Sequence, residues 1–469
     1  MTKRHTRSTA REHAGSSADD GPSVGRRSYL KLAGTAVGSV PLATNATGTA
    51  GGTSTVGAND ATDETVGEPM NGASGFSRTV DAVAAGCDPT GERTCDRAFR
   101  RAVANGGLVR FPAGTYRFSR PQVVLGVESV GVVGDGDVTF VVDPGFEGNL
   151  LTVAGGSRLS FAGIDIDMTA PSAIAGLRLC ARDSLRIENV TVRGRTRERP
   201  TDRPVANVLS PVVRSPDGTG IVRNVVARDG GPMGPAHRRP DGRAGIRVGS
   251  ATRGTVTIAD CDLEGFPAGG VYASETSGTV RIEGGRYRDN DVAGIRLGAN
   301  GAVENARIVA GFETDPATDP PVSGLLASGS AADPSASGST AACGVRLEGG
   351  GSGATIAGCD VRVGPDAGGE GAVVAAHDHG GFALRDSRIR VRKADLPAVC
   401  GFDPRTGRYS PPRDSLGTRI ENCAITGSDD GPSVRLVGRP APRLERCLVD
   451  GFVYDARASS PPDHTPDGR

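Results

Sequence analysis

Apolar and polar residues alternate along short segments that recur through the middle of the chain. Between Gly245 and Val309 one unit occurs nearly three times: a strand led by glycine, a short turn, and a second alternating strand. The copies start at Gly245, Gly270 and Gly294, so the period is 24 to 25 residues. No copy has the apolar spacing or the length of a helix. This repeat predicts an all-β solenoid made of the coils of a parallel β-helix.

The same unit occurs outside that window, with complete copies starting at Gly344 and Gly371. Four copies place a cysteine at the same inward position of the second strand, where other copies have a small or apolar residue; these are Cys261, Cys359, Cys423 and Cys447. No Cys-x-x-Cys spacing occurs, so we predict core packing rather than disulfides or metal ligands. An Asn or Asp residue precedes this position in most copies, which predicts a polar ladder at a coil corner.

The N-terminal region predicts export. Residues 25–31, Gly-Arg-Arg-Ser-Tyr-Leu-Lys, precede an apolar run at 32–43 that is too short to span a membrane, as in a twin-arginine signal. We therefore predict an export signal at 1–50, a disordered linker at 51–75, the β-helix at 76–455 and a disordered tail at 456–469. The mature protein would have no stable membrane span and would be secreted or held at the cell surface.

Composition adds two constraints. The formal net charge is zero, which argues against a nucleic-acid-binding arm. The chain has 70 glycines, 31 prolines and no tryptophan, which fits a turn-rich solenoid and weakens a site based on sugar stacking.

Ahead of the repeats, Thr94 is predicted to cap a helix over 95–104, followed by a strand over 108–111 and a turn over 112–114. Such a helix would cover the open end of the solenoid. Cys87 and Cys95 lie outside the cysteine column, and whether they form a disulfide is left open.

Two motifs here resemble the entry segment of the pectate-lyase-like superfamily. They are Gly86-Cys-Asp-Pro-Thr-Gly91 and Phe111-Pro-Ala-Gly-Thr-Tyr116. The resemblance covers about 80–454 and implies a right-handed parallel β-helix with a short N-terminal capping helix. It implies chemistry less firmly, because the superfamily contains lyases, hydrolases, epimerases, adhesins and inert spikes.

Two acidic or histidine-containing clusters fall short of a catalytic signature. Asp429-Asp430 is followed by neither the Gly-His-Gly nor the Arg-x-Lys of polygalacturonases, so we interpret it as a turn. His377-Asp378-His379 could hold a metal, but it falls in a short turn of the repeat and has no identifiable third ligand.

The long insertions indicate where a site would lie. Residues 194–219, 229–243, 310–342 and 392–417 all leave the repeat after the strand of the cysteine column, so they would wall one sheet. Two outward rows on this sheet interleave carboxylates and arginines. The predicted polysaccharide-binding residues are Asp165, Asp167, Arg228, Asp262, Glu264, Arg286 and Arg288. The alternative is a surface ladder of salt bridges that keeps the coils in register.

Two functions remain open at this point. In the first, the protein binds an anionic extracellular polysaccharide and cleaves it as a lyase or hydrolase; the resemblance to pectate lyases implies calcium as a bridge to uronate groups and an arginine as the base. In the second, it is a non-catalytic surface β-helix that acts as an adhesin or binding module. No residue is assigned as catalytic.

Overall fold

The computed structural model describes residues 75–196, 205–233, 242–311, 342–404, 416–427 and 431–456. These residues belong to the unit Glu68–Arg469. The predicted export signal, most of the linker, the tail after 456 and Asp429-Asp430 lie outside them. Within the described residues, no helix has the length and hydrophobicity needed to cross a membrane.

One helix and 34 strands make up the described fold. In chain order they are β1 (Thr79–Asp81), β2 (Thr90–Thr94), α1 (Asp96–Val103), β3 (Gly107–Phe118), β4 (Gln122–Leu125), β5 (Ser129–Val142), β6 (Glu147–Ala154), β7 (Arg158–Ala162), β8 (Asp165–Asp167), β9 (Ile174–Ala181), β10 (Ser184–Arg193), β11 (Leu209–Val213), β12 (Thr219–Ala227), β13 (Ile246–Arg247), β14 (Thr255–Ala259), β15 (Asp262–Glu264), β16 (Val271–Ala273), β17 (Thr279–Glu283), β18 (Arg286–Arg288), β19 (Ala293–Leu297), β20 (Ala302–Glu304), β21 (Arg307–Ala310), β22 (Cys343–Leu347), β23 (Ala354–Ala357), β24 (Asp360–Val363), β25 (Val373–Ala375), β26 (Phe382–Arg385), β27 (Arg388–Val391), β28 (Val399–Gly401), β29 (Arg419–Glu421), β30 (Ala424–Thr426), β31 (Pro432–Val437), β32 (Arg443–Glu445), β33 (Leu448–Asp450) and β34 (Phe452–Ala456).

These strands form two sheets in which every recorded pairing is parallel, which confirms the parallel β-helix. Sheet B has 12 strands, namely β4, β6, β9, β11, β13, β16, β19, β22, β25, β28, β31 and β34, and sheet A contains the other 22 described strands. Each strand pairs with its counterpart one coil away, as when β15 pairs with β18 and β18 with β21. The right-handedness of the coil stays a prediction.

The interior is a continuous column of aliphatic and small side chains, because alternate residues of each strand point inward. The cysteine column is confirmed as packing. Cys261, Cys359 and Cys423 are buried, and their thiols donate to the carbonyls two residues earlier at 3.4, 3.2 and 3.1 Å. Ser387 occupies the same position and donates likewise to the Arg385 carbonyl at 2.6 Å.

The predicted polar ladder at a coil corner is also confirmed. The residue before the cysteine position adopts a left-handed conformation in successive coils, with φ of 54° at Asn189, 51° at Asn224, 50° at Asp386 and 50° at Asn422. Asn and Asp tolerate this region better than other residues with a side chain. The amide of Asn224 donates to Asn189 at 2.8 Å and that of Asn422 to Asp386 at 2.6 Å, so a hydrogen bond links the corners of neighbouring coils at these two places.

The helix covers the first coils as predicted, but its start differs. It begins at Asp96, Cys95 is its N-cap residue, and no side chain caps it, so the predicted Thr94 cap is wrong. The reason is that Thr94 ends β2, which pairs with β3. The predicted turn over 112–114 is also wrong, because β3 continues through it with only a shift of register against β5.

Cys87 and Cys95 are both free and buried in this cap. The hydrogen bond they share and burial together raise the pKa of the Cys87 thiol, so it stays protonated at neutral pH.

Two of the four predicted insertions include strands of the coil. Residues 194–219 contain β11, and residues 392–417 contain β28, so the long segment after Gly401 leaves at the opposite turn of the coil. The expectation that every insertion leaves on the same side is therefore wrong. The insertions after β10, β12 and β21 do follow the strand of the cysteine column, as expected.

Candidate functional site

In the structure, every residue of the two predicted outward rows lies at its expected position. We call them the charged face: one row is Asp165, Thr191, Val226, Asp262, Arg286, Arg307, Asp360 and Arg388, and the other is Asp167, Arg193, Arg228, Glu264, Arg288, Val309, Arg362 and Arg390. Strand registers place Asp262 beside Arg286, Glu264 beside Arg288 and Asp360 beside Arg388. The rows stay aligned because parallel pairing repeats one register in each coil.

Five of the seven predicted site residues lie on three consecutive coils. Arg228 Nε donates to Asp262 Oδ2 at 2.9 Å, and Arg288 Nε lies 3.3 Å from Glu264 Oε2. Arg286 completes this group beside Asp262. The structure therefore brings these side chains together as expected.

The other two predicted residues lie on β8, two coils before the coil of Arg228, and have local partners. Asp165 accepts from Arg193 at 2.9 Å. Asp167 accepts from the backbone N–H of Thr169 at 2.8 Å and from its hydroxyl at 2.7 Å, so it shapes a turn. They share the face with the main group but not its contacts.

Glu264 has the most unusual electrostatic position on the charged face. Burial raises its pKa above the ordinary value, Asp289 and Asp262 raise it further, and Arg288 and Arg286 only partly oppose the shift. A carboxylate whose pKa is raised in spite of a neighbouring arginine is a candidate acid–base group. Asp262 Oδ1 is buried and has no hydrogen-bond partner among the described residues.

Arginines outnumber carboxylates toward the C-terminal half of the face. Arg388 and Arg390 make no recorded ion pair or hydrogen bond with a described residue, whereas Arg362 pairs with Asp360 at 2.6 Å. An open groove of about 350 Å³ lies beside Arg388, and its lining also includes Asn422 and the two carboxylates of Asp360 and Asp386. Among the described residues, the guanidinium groups of Arg388 and Arg390 have no carboxylate partner.

The donor set does not fit calcium. Among the described residues, no group of three or more His, Cys, Asp or Glu side chains is placed to hold a metal ion. Asp262 and Glu264 each face an arginine, whereas a calcium site needs several oxygen ligands free of cations.

A second cluster, on the outward side of sheet B, was missed by the sequence analysis. Tyr272 lies between two arginines, with the guanidinium carbon of Arg296 3.7 Å and that of Arg247 4.5 Å from the ring centroid. Glu348 accepts from Arg296 Nε at 2.6 Å and from Arg346 Nε at 2.9 Å. The signal was present in the repeats, because the third residue of each glycine-led unit faces outward on sheet B.

This second cluster is internally paired. Burial raises the pKa of Glu348, but Arg296 and Arg346 outweigh burial and hold it below its usual range. The Tyr272 ring is almost fully buried under the arginines and cannot stack on a sugar. The cluster therefore stabilises the coils of sheet B.

The histidine-containing turn is structural in this fold. His377 Nδ1 lies 2.8 Å from the carbonyl oxygen of Asp403. His379 is fully buried, and the buried guanidinium of Arg439 donates to its carbonyl at 2.8 Å and to that of Gly380 at 2.9 Å. Neither ring nitrogen of His379 has a hydrogen-bond partner among the described residues.

No family model matches the sequence, and a search of curated proteins finds no match. Solved structures do resemble the fold. The A-module of the mannuronan C-5 epimerase AlgE4 from Azotobacter vinelandii has 15% identity over 82% of this chain and 98% of its own, with a TM-score of 0.41. The surface adhesin PfbA of Streptococcus pneumoniae has 11% identity over 84% of this chain and 97% of its own, with a TM-score of 0.44. At these values neither assigns an activity to this chain.

Proposed function

We propose that this β-helix binds an anionic polysaccharide, such as a polyuronate or a sulfated glycan, along the charged face. The observation that carries the proposal is the excess of arginine. Between β12 and β27 the two rows contain seven arginines and three carboxylates: Arg228, Arg286, Arg288, Arg307, Arg362, Arg388 and Arg390 against Asp262, Glu264 and Asp360. Guanidinium groups bind carboxylate and sulfate through paired hydrogen bonds.

The geometry suits a linear polymer. Neighbouring coils are about 4.8 Å apart, so the six coils from Arg228 to Arg390 extend over about 24 Å. Five of these six coils offer one or two arginines to a chain that follows the β-helix axis, and the coil of β15 offers Asp262 and Glu264 instead. A polymer with an anionic group on each sugar would contact several of them together.

The first experiment measures retention of the protein, from about residue 71 onward, on immobilised polyuronates and sulfated glycans over a range of salt. We expect retention on at least one anionic glycan, weakened by salt because the contacts are partly exposed. Arg388→Gln with Arg390→Gln should weaken binding at least about tenfold, since each lost charged hydrogen bond is worth about 1.5 kcal/mol.

The matched control is Arg435→Gln with Arg178→Gln. Both of these arginines are exposed on sheet B, so the variant removes the same charge from the opposite side of the coil. Equal loss of binding in both double variants would show a nonspecific charge effect and would exclude the charged face as the site.

A second candidate function is cleavage of that polymer, favoured by the raised pKa of Glu264. As a base, Glu264 would take the proton next to the uronate carboxylate. The C–H electrons would form the new double bond, the C4–O bond would break, and the leaving oxygen would take a proton from water. Arg288 and Arg286 would hold the carboxylate and stabilise the charge that develops on it.

The test follows unsaturated product and new reducing ends separately. Glu264→Gln should abolish the unsaturated product and retain binding. Binding without turnover in the unmodified protein would place the protein in the non-catalytic class, as an adhesin or binding module.

Action on an extracellular glycan further requires export, which rests on the twin-arginine sequence. Replacing Arg26 and Arg27 by lysine should retain the protein inside the cell, as measured by fractionation. Secretion at the unmodified level would contradict this route.

A further inference from the structure

The last described coil of the β-helix has an outer edge that no described strand covers. Among the described residues, strands β32, β33 and β34 each pair only with the preceding coil. Leu444 occupies the inward position below Ile420, yet it is 38% exposed while Ile420 is fully buried. Leu448 is 78% exposed, and Phe452, Val453 and Tyr454 are also exposed. Unpaired strand edges beside exposed apolar side chains form a template for association.

The other end of the solenoid is different. Helix α1 covers the first coils, with Phe99, Ala102 and Val103 buried against them. Head-to-tail stacking of copies is therefore blocked at the N-terminal end. A contact between two C-terminal ends closes after two copies, because a two-fold axis uses the same surface on both.

The thirteen residues that follow β34 in the given sequence, 457–469, lie outside the described residues and are mostly polar or small. Residues 457–469 include three prolines and no Val, Leu, Ile, Met or aromatic residue. Proline cannot donate to a strand edge, and this composition offers little apolar surface to bury.

The charges of β32 complement a second copy. Its sequence is Arg443-Leu444-Glu445, and the strand register places Arg443 beside Arg419 and Glu445 beside Glu421, with Glu445 Oε1 also 3.8 Å from Arg419 Nη2. In an antiparallel two-fold pairing centred on Leu444, Arg443 would instead face the partner's Glu445, and Glu445 the partner's Arg443. Opposite charges directly across a strand pair are favourable.

We propose that the C-terminal coil is the interface of a tail-to-tail homodimer formed by antiparallel pairing of β32. In the dimer, β32 of one copy would pair with β32 of the other, and Leu444 would be covered in both copies. It would leave the charged face of each copy free, so the proposal stands independently of the ligand.

The test is sedimentation velocity over a range of protein concentrations under reducing conditions, since Cys447 is partly exposed and could cross-link copies. The unmodified protein should be a dimer. Arg443→Glu should raise the dimer dissociation constant at least about tenfold, because like charges then meet at two symmetric places. Arg443→Glu combined with Glu445→Arg should restore the dimer, since the charges face each other again.

Hydrogen exchange on the unmodified protein gives a readout that needs no variant. Amides of β32 should become protected as the protein concentration rises, while those of β20 stay constant. The proposal is overturned by a monomer at all concentrations, by exchange in β32 that is independent of concentration, or by a dimer that is insensitive to Arg443→Glu.

Discussion

Arg288 Nε lies 3.3 Å from Glu264 Oε2, and the two residues face each other across neighbouring coils. In spite of this cation, the pKa of Glu264 is raised, because burial and two nearby carboxylates outweigh Arg288 and Arg286. The folded protein therefore holds the Glu264 proton more tightly than the unfolded chain does. The ionised form is a local cost to stability, as is common at sites shaped by function.

Glu264→Gln should therefore raise the melting temperature at pH 7. The sign follows from linkage: the stability contribution of a group with a raised pKa is complete below its ordinary value of 4.5 and is lost as the pH rises. The gain should disappear when both proteins are measured below pH 4.5.

Asp360→Asn serves as the comparison, since it removes the ion pair with Arg362 and should lower stability at pH 7. A lower melting temperature for Glu264→Gln at pH 7 would show that its ion pair stabilises the fold.

Glu348→Gln should cost about 3 kcal/mol of unfolding free energy. The substitution leaves Arg296 and Arg346, both largely buried, without their shared carboxylate. Glu370→Gln is the matched control, because Glu370 also pairs with Arg346 but is 48% exposed. It should cost less than about 1 kcal/mol. Equal losses of unfolding free energy in Glu348→Gln and Glu370→Gln, measured by urea denaturation, would show that burial does not determine the strength of these ion pairs.

Asn305→Ala should cost about 1 kcal/mol, whereas Asn305→Gly should be nearly neutral. Asn305 has φ of 55°, in the left-handed region. Alanine is disfavoured there because its Cβ clashes and it has no polar side chain to bond the local backbone, whereas glycine has no Cβ. Unfolding in urea separates the two variants. If Asn305→Ala is as stable as Asn305→Gly, the left-handed conformation does not explain why Asn and Asp occur at the corners.

The charged face could be predicted residue by residue because alternation of period two leaves one choice of outward residues once the repeats are aligned. Asp262, Glu264, Arg286 and Arg288 occupy the expected positions for this reason. Their burial and pairing could not be predicted, because these depend on side-chain directions and on residues from other coils.

Two coil strands were missed for local reasons. β11 contains Pro211, which argues against a strand, and β28 is only Val399-Cys400-Gly401, with no alternation of polar and apolar residues. Both pair because the neighbouring coils supply a template. As a result, β11 and β28 were predicted as parts of loops, and the long segment after Gly401 was predicted at the wrong turn of the coil.

Stability should fall as the pH is lowered from about 6.5 to about 4 because of His379. Burial and, to a smaller extent, Arg439 lower the pKa of His379 from 6.5 to about 4, and Glu348 only partly opposes this shift. The unfolded chain therefore takes up a proton in this window and the folded protein does not, so protons favour unfolding. The difference between a pKa of 6.5 and one of about 4 corresponds to about 3 kcal/mol of unfolding free energy, because one pKa unit is worth about 1.36 kcal/mol.

His379→Gln should flatten this part of the curve of unfolding free energy against pH. A slope that persists in His379→Gln would assign the proton to another group.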